Sequence, residues 1–97
     1  MAYRIILTYT RPNTDIDFMP FTDDLIELLN NYIGDGKISD YAVDDSNPLV
    51  LEYTLTYRDE ESKAEFRNEP IVLNYADARN IHNQDNGIKM EIQEFFL

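Results

Sequence analysis

A lone histidine, His82, is the first place to look for chemistry in this chain, because imidazole is the side chain whose proton moves near neutral pH. It offers one proton carrier or one metal ligand, and a metal site built on it would need carboxylates from elsewhere. Tyrosine is the enriched residue, seven among 97, and Tyr3, Tyr9, Tyr53 and Tyr57 share one parity of two strand-like runs. Rings so placed either finish a core with their hydroxyls at its rim, or line a cleft with the hydroxyls turned toward a small ligand. His82, Tyr53 and Tyr57 are therefore the catalytic candidates. Acids come in pairs: Asp15 with Asp17, Asp23 with Asp24, Asp44 with Asp45, Glu60 with Glu61. Such pairs run acid–base chemistry or hold calcium only where burial or a shaped loop changes them, and Asp44–Asp45–Ser46–Asn47 is too short for a calcium loop. They read as solvated turn and helix-start residues.

Other chemistries are excluded. There is no cysteine, hence no disulfide, zinc–thiolate site or thiol nucleophile. No glycine-rich phosphate loop, GxSxG or HExxH occurs, and Ser39, Ser46 and Ser62 share one possible histidine base. The residues call for no cofactor and no metal. Nineteen acids against eight bases give a formal charge of -11, which repels phosphate backbones and anionic lipids, so nucleic-acid and membrane binding are not expected. A basic partner protein fits that charge, as does plain solubility. No run nears the ~20 apolar residues that cross a bilayer, and the start of the chain is a strand pattern with no signal layout, so a soluble cytoplasmic protein is expected.

The elements that must position these residues follow from period. Leu49, Leu51, Tyr53, Leu55 and Tyr57 alternate with Val50, Glu52, Thr54, Thr56 and Arg58, a half-buried strand. Tyr3 to Thr10 alternates likewise, and Arg11–Pro12–Asn13–Thr14–Asp15 breaks it. Thr22 caps a helix running to about Ile33, with Asp23 and Asp24 in its first turn, a Phe21–Ile26 staple, and Leu25, Leu28, Leu29, Tyr32 and Ile33 at helical spacing. Lys37 to Asp44 is a weaker edge strand that returns as a hairpin through Asp45–Ser46–Asn47–Pro48. After Tyr57 the period changes to a second helix capped by Asp59 and kinked near Pro70; a strand over Lys63 to Val72 is the rival reading. Ile88 to Phe95 closes the chain as a strand with Ile88, Met90 and Ile92 inward.

The order β-α-β-β-α-β predicts one α+β domain, a ferredoxin-like plait of four antiparallel strands with two helices on one face. Its other face would present Arg4, Ile6, Thr8, Val50, Glu52, Thr54, Thr56 and Phe95, with Thr10, Ile38, Glu91 and Gln93. That mixed surface suits a wet sheet-to-sheet pairing.

The segment Leu55–Thr56–Tyr57–Arg58–Asp59–Glu60–Glu61–Ser62–Lys63–Ala64–Glu65–Phe66, followed by Asn68–Glu69–Pro70, resembles the strand-to-helix junction of the dimeric α/β-barrel proteins. That family has the same plait and pairs its sheet faces, and some members are monooxygenases, haem-degrading enzymes or small binding proteins. The chain has no tryptophan and His82 matches no haem-degrading motif, so that activity is not carried over. The acidic, cysteine-free composition is also similar to that of small phage proteins. The functional expectation is a homodimeric binding or assembly module. Its alternatives are a cofactor-independent enzyme of the barrel kind with a tyrosine-lined cleft, and an acidic decoy for a basic protein.

Overall fold

Alternation in Tyr3–Thr10 and Val50–Tyr57 produces the two central strands of the sheet seen in the computed structural model, which describes all 97 residues. In chain order the elements are β1 (Tyr3–Thr10), α1 (Asp23–Gly34), β2 (Ile38–Asp44), β3 (Val50–Tyr57), α2 (Glu60–Arg67), α3 (Pro70–Asn86) and β4 (Lys89–Phe96). The strands lie in the order β2-β3-β1-β4 with every neighbour antiparallel. This is the ferredoxin-like plait. Tyr3 faces Tyr57 across the β1–β3 ladder and Leu7 faces Tyr53, so the odd residues of both strands share one face. That face meets the helices, and Tyr3, Ile5, Leu55 and Tyr57 join Leu25, Leu29 and Phe66 in the main core.

Helix α1 starts where its cap chemistry puts it. Thr22 Oγ1 and Asp24 Oδ1 both accept the Leu25 N–H, and the hydroxyl of Thr22 donates to the Asp24 carboxylate. Leu25, Leu29 and Tyr32 are buried, whereas Ile26 and Ile33 are exposed. The expected Phe21–Ile26 staple gives way because Phe21 stacks on Tyr53, ring centroids 4.6 Å apart, and meets Tyr75 edge-on. A ring finds more contact there than an aliphatic side chain offers.

The expected kinked second helix is two helices. Asp59 caps α2 by accepting the Ser62 N–H at 2.7 Å, and buried Ser62 lets the helix lie close to the sheet. The ladder then ends, because Pro70 has no N–H to donate, and its fixed φ suits the first position of α3. Gly87, at φ 67°, stops α3 in the left-handed conformation. The strand alternative for Lys63 to Val72 does not occur.

One residue lies elsewhere than expected. Ile38, assigned to the open face, is 1% exposed in the core, because an irregularity between Ile38 and Asp40 shifts the β2 register and puts both Ile38 and Tyr41 on the helix side. Ile92, assigned inward, is on the helix side but 47% exposed. No helix is long and apolar enough to cross a membrane.

Candidate functional site

Because α2 and α3 do not seal the sheet on the β4 side, a cleft of about 160 Å³ remains there. Its floor is Ile5 and Leu7 of β1, Leu55 and Tyr57 of β3, and Ile92 and Glu94 of β4; its wall is Phe66 and Arg67 of α2 with Val72, Leu73, Ala76 and Arg79 of α3. The lining is mostly apolar, and its polar groups sit at defined points. Leu7, Leu55, Phe66, Val72 and Arg79 also line an inner hollow of about 70 Å³ that reaches Tyr9, Phe21 and Tyr75. A third hollow of about 10 Å³ lies beyond, among Tyr9, Phe18, Met19, Leu51, Tyr53, Arg79 and Asn83. Arg79 borders all three.

Charge around the cleft is unevenly balanced. Glu94 takes ion pairs from Arg67 at 3.1 Å and Lys63 at 3.7 Å, tying α2 to β4. Arg79 has no carboxylate partner: its guanidinium reaches Asn80 Oδ1 at 3.2 Å and, at a long 3.4 Å, the Tyr9 hydroxyl. A half-buried cation without a counter-ion beside an apolar hollow favours an oxygen carrying negative charge.

Of the three sequence candidates, two border these hollows and one does not. Tyr57 is 1% exposed and stands in the cleft floor. Burial pushes its pKa well above the ordinary tyrosine value, with Arg67 opposing and Glu94 adding. Tyr53 lies between Phe21 and Tyr41 and meets Tyr9 edge-on; burial, then the neighbouring Tyr41 and Tyr9 hydroxyls, push it up to about 12. Both are protonated donors at neutral pH. His82 lies outside all three hollows. Its Nε2 is 2.7 Å from the Asp17 carbonyl oxygen, so Nε2 carries the proton and donates it there, leaving Nδ1 toward the Asn86 amide. Arg11 donates to Ile16 O and the Tyr75 hydroxyl to Met19 O. Together the three hold the loop between β1 and α1 over the small hollow.

The residues proposed from sequence as an interface do share the open face: Arg4 faces Thr56 and Phe95, Ile6 faces Thr54, and Thr8 faces Glu52. Arg4 Nε donates to Thr56 Oγ1 at 3.0 Å and covers it. The acid pairs remain in solvent.

Comparison with known proteins adds the fold's company. The chain is similar to a solved antibiotic biosynthesis monooxygenase, at 14% identity and a TM-score of 0.66 over 100% of this chain and 98% of the other. It is similar to SnoaB, a cofactor-independent oxygenase from Streptomyces nogalater, at 9% identity and a TM-score of 0.64 over 99% and 92%. A Mycobacterium tuberculosis protein matches at 17% identity and a TM-score of 0.61 over 98% and 94%. No family model and no curated protein matches. These neighbours agree with the fold of the dimeric α/β-barrel resemblance, and the phage resemblance finds no support among them.

Neither Arg79 nor Asn83 is a site candidate from sequence, where Arg79 counts only as one of the residues, with Val72, Tyr75, Ala78 and His82, that step along one side of the helix after Pro70. The available signal was their spacing: Tyr75, Arg79 and Asn83 recur every four residues on one side of α3, a polar row where a core-facing helix would carry aliphatics.

Proposed function

We propose that this chain binds a flat, mostly apolar, oxygen-bearing small molecule in the cleft and exposes it to cofactor-independent oxygenation, two copies pairing through their open sheet faces. The observation that carries the reading is an apolar cleft whose inner end holds a guanidinium without a carboxylate partner. Beside Arg79 a phenol or enol ionises more readily, and the electron-rich anion supplies the electrons that dioxygen accepts. Oxygen adds at the ring carbon para to the hydroxyl, and loss of water from the peroxide leaves a quinone, so that one O2 yields one carbonyl oxygen and one water. The solved oxygenases named above support this reading by shared architecture. For the pairing, the support is a sheet face that no helix covers, carrying Ile6, Val50 and the exposed ring of Phe95.

The test uses 1,5-dihydroxynaphthalene as probe. The expected result is a thermal shift on binding and oxygen uptake matched to quinone formation, both reduced at least about tenfold in Arg79→Met. Binding without uptake would remove the oxygenation and keep the cleft; no binding would remove both.

A further inference from the structure

We infer that the small hollow under Phe18 and Met19 is a head-group subsite, taking one phenolic or ketonic oxygen of a ligand whose apolar body lies in the main cleft. The inference rests on the ligand-binding reading above and specifies which end of the ligand is read.

Two buried polar groups point to it. Asn83 is 7% exposed and Tyr53 is 8% exposed, and both border the hollow. Neither the Asn83 side-chain amide nor the Tyr53 hydroxyl is among the groups that hydrogen-bond within the chain, and no sealed polar atom lacks a partner, so these ends remain reachable. An amide and a hydroxyl that are reachable but unpaired within the chain are held by water until a ligand oxygen takes its place.

The chemistry of that occupant follows from the donors. The Asn83 amide, the Tyr53 hydroxyl and the Arg79 guanidinium all offer N–H or O–H groups. Tyr9 accepts from Arg79, which frees its own hydroxyl proton to donate as well. Against four donors stands one dedicated acceptor, Asn83 Oδ1. The hollow therefore selects an acceptor oxygen. At about 10 Å³ it holds a single water-sized atom, too little for a carboxylate or phosphate. It shares Tyr9 and Arg79 with the inner hollow, which shares five residues with the cleft, so one ring-sized ligand reaches from the apolar end to the donors. Phe18 and Met19 close the far side, on the loop held by Arg11, His82 and Tyr75.

The test compares 2-naphthol with naphthalene, which differ by the one oxygen. Binding is measured by fluorescence on the full chain and on Asn83→Leu, Tyr53→Phe and Ala76→Trp, the last filling the main cleft. Wild type is expected to prefer 2-naphthol by roughly tenfold, the size of one good hydrogen bond. Tyr53→Phe, nearly isosteric, and Asn83→Leu should each erase most of that preference while naphthalene affinity stays within about twofold. Ala76→Trp should weaken both probes. Equal affinities in wild type, or a preference unchanged in both subsite variants, overturns the subsite and leaves the cleft. Binding of neither probe overturns the cleft, and the subsite with it.

Discussion

Raising the pH should unfold this protein through its tyrosines, and the size of the effect can be worked from their burial. Tyr53, Tyr57 and Tyr75 are each at most 8% exposed, and each is held above the ordinary tyrosine pKa chiefly by desolvation. A group whose folded pKa is raised contributes its stability in full below the unfolded value of about 10, and loses it as pH climbs through the folded value. At pH 11 each such ring is still neutral in the folded chain but ionised in the unfolded one, a difference of about 1.4 kcal/mol. Three rings remove about 4 kcal/mol at pH 11, and nearly twice that by pH 12, against a total of roughly 5–15 kcal/mol for a domain of this size. Tyr9, Tyr32 and Tyr41 shift the same way and steepen the loss. Absorbance at 295 nm after a rapid jump to about pH 11.5 should show only a minority of the seven tyrosines ionising at once, and the rest with the same time constant as the loss of far-ultraviolet circular dichroism. Immediate ionisation of all seven with the dichroism intact would refute the burial argument for Tyr53, Tyr57 and Tyr75.

Other expectations are more local. Ile38→Ala should cost about 3 kcal/mol in a urea melt because the β2 irregularity puts that side chain in the core, whereas Val43→Ala, 47% exposed on the same strand, should cost less than about 1. His82→Ala should speed amide exchange in the loop around Asp17 and leave naphthalene binding in the main cleft unchanged. If two copies pair, each at a formal -11, added salt should tighten the dimer in light scattering, and Ile6→Glu should weaken it by at least about tenfold. Weakening by salt would refute the argument from like-charge repulsion and point to attractive charge pairs between the copies.

Strand parity was readable because β1 and β3 each bury one face, and a one-residue slip would expose Tyr3, Ile5, Leu55 and Tyr57 together. Thr22 and Asp59 were readable as caps because their side chains answer a local need of the backbone. Ile38 was not, since a register irregularity depends on pairing with β3 and leaves no trace in the order of residues. The cleft was half legible. Tyrosine parity pointed to rings on the inner face, but Arg79 and Asn83 matter only because α3 lies across the sheet at that place, a long-range fact. His82 drew attention by being alone, while its position is set by a carbonyl 65 residues earlier.

The break at Asn68–Glu69 divides the wall of the cleft into two pieces, Phe66 and Arg67 on one side and Val72, Leu73 and Ala76 on the other. Only two backbone hydrogen bonds, from Asn68 to Ala64 and from Glu69 to Phe66, brace that junction on the α2 side. A guest thicker than the resting gap would have to rock α2 on this joint and stretch the pairs of Lys63 and Arg67 to Glu94, while α3 keeps its place. On the proposed reading, tolerance for body shape would then fall to α2 and strictness about the terminal oxygen to α3.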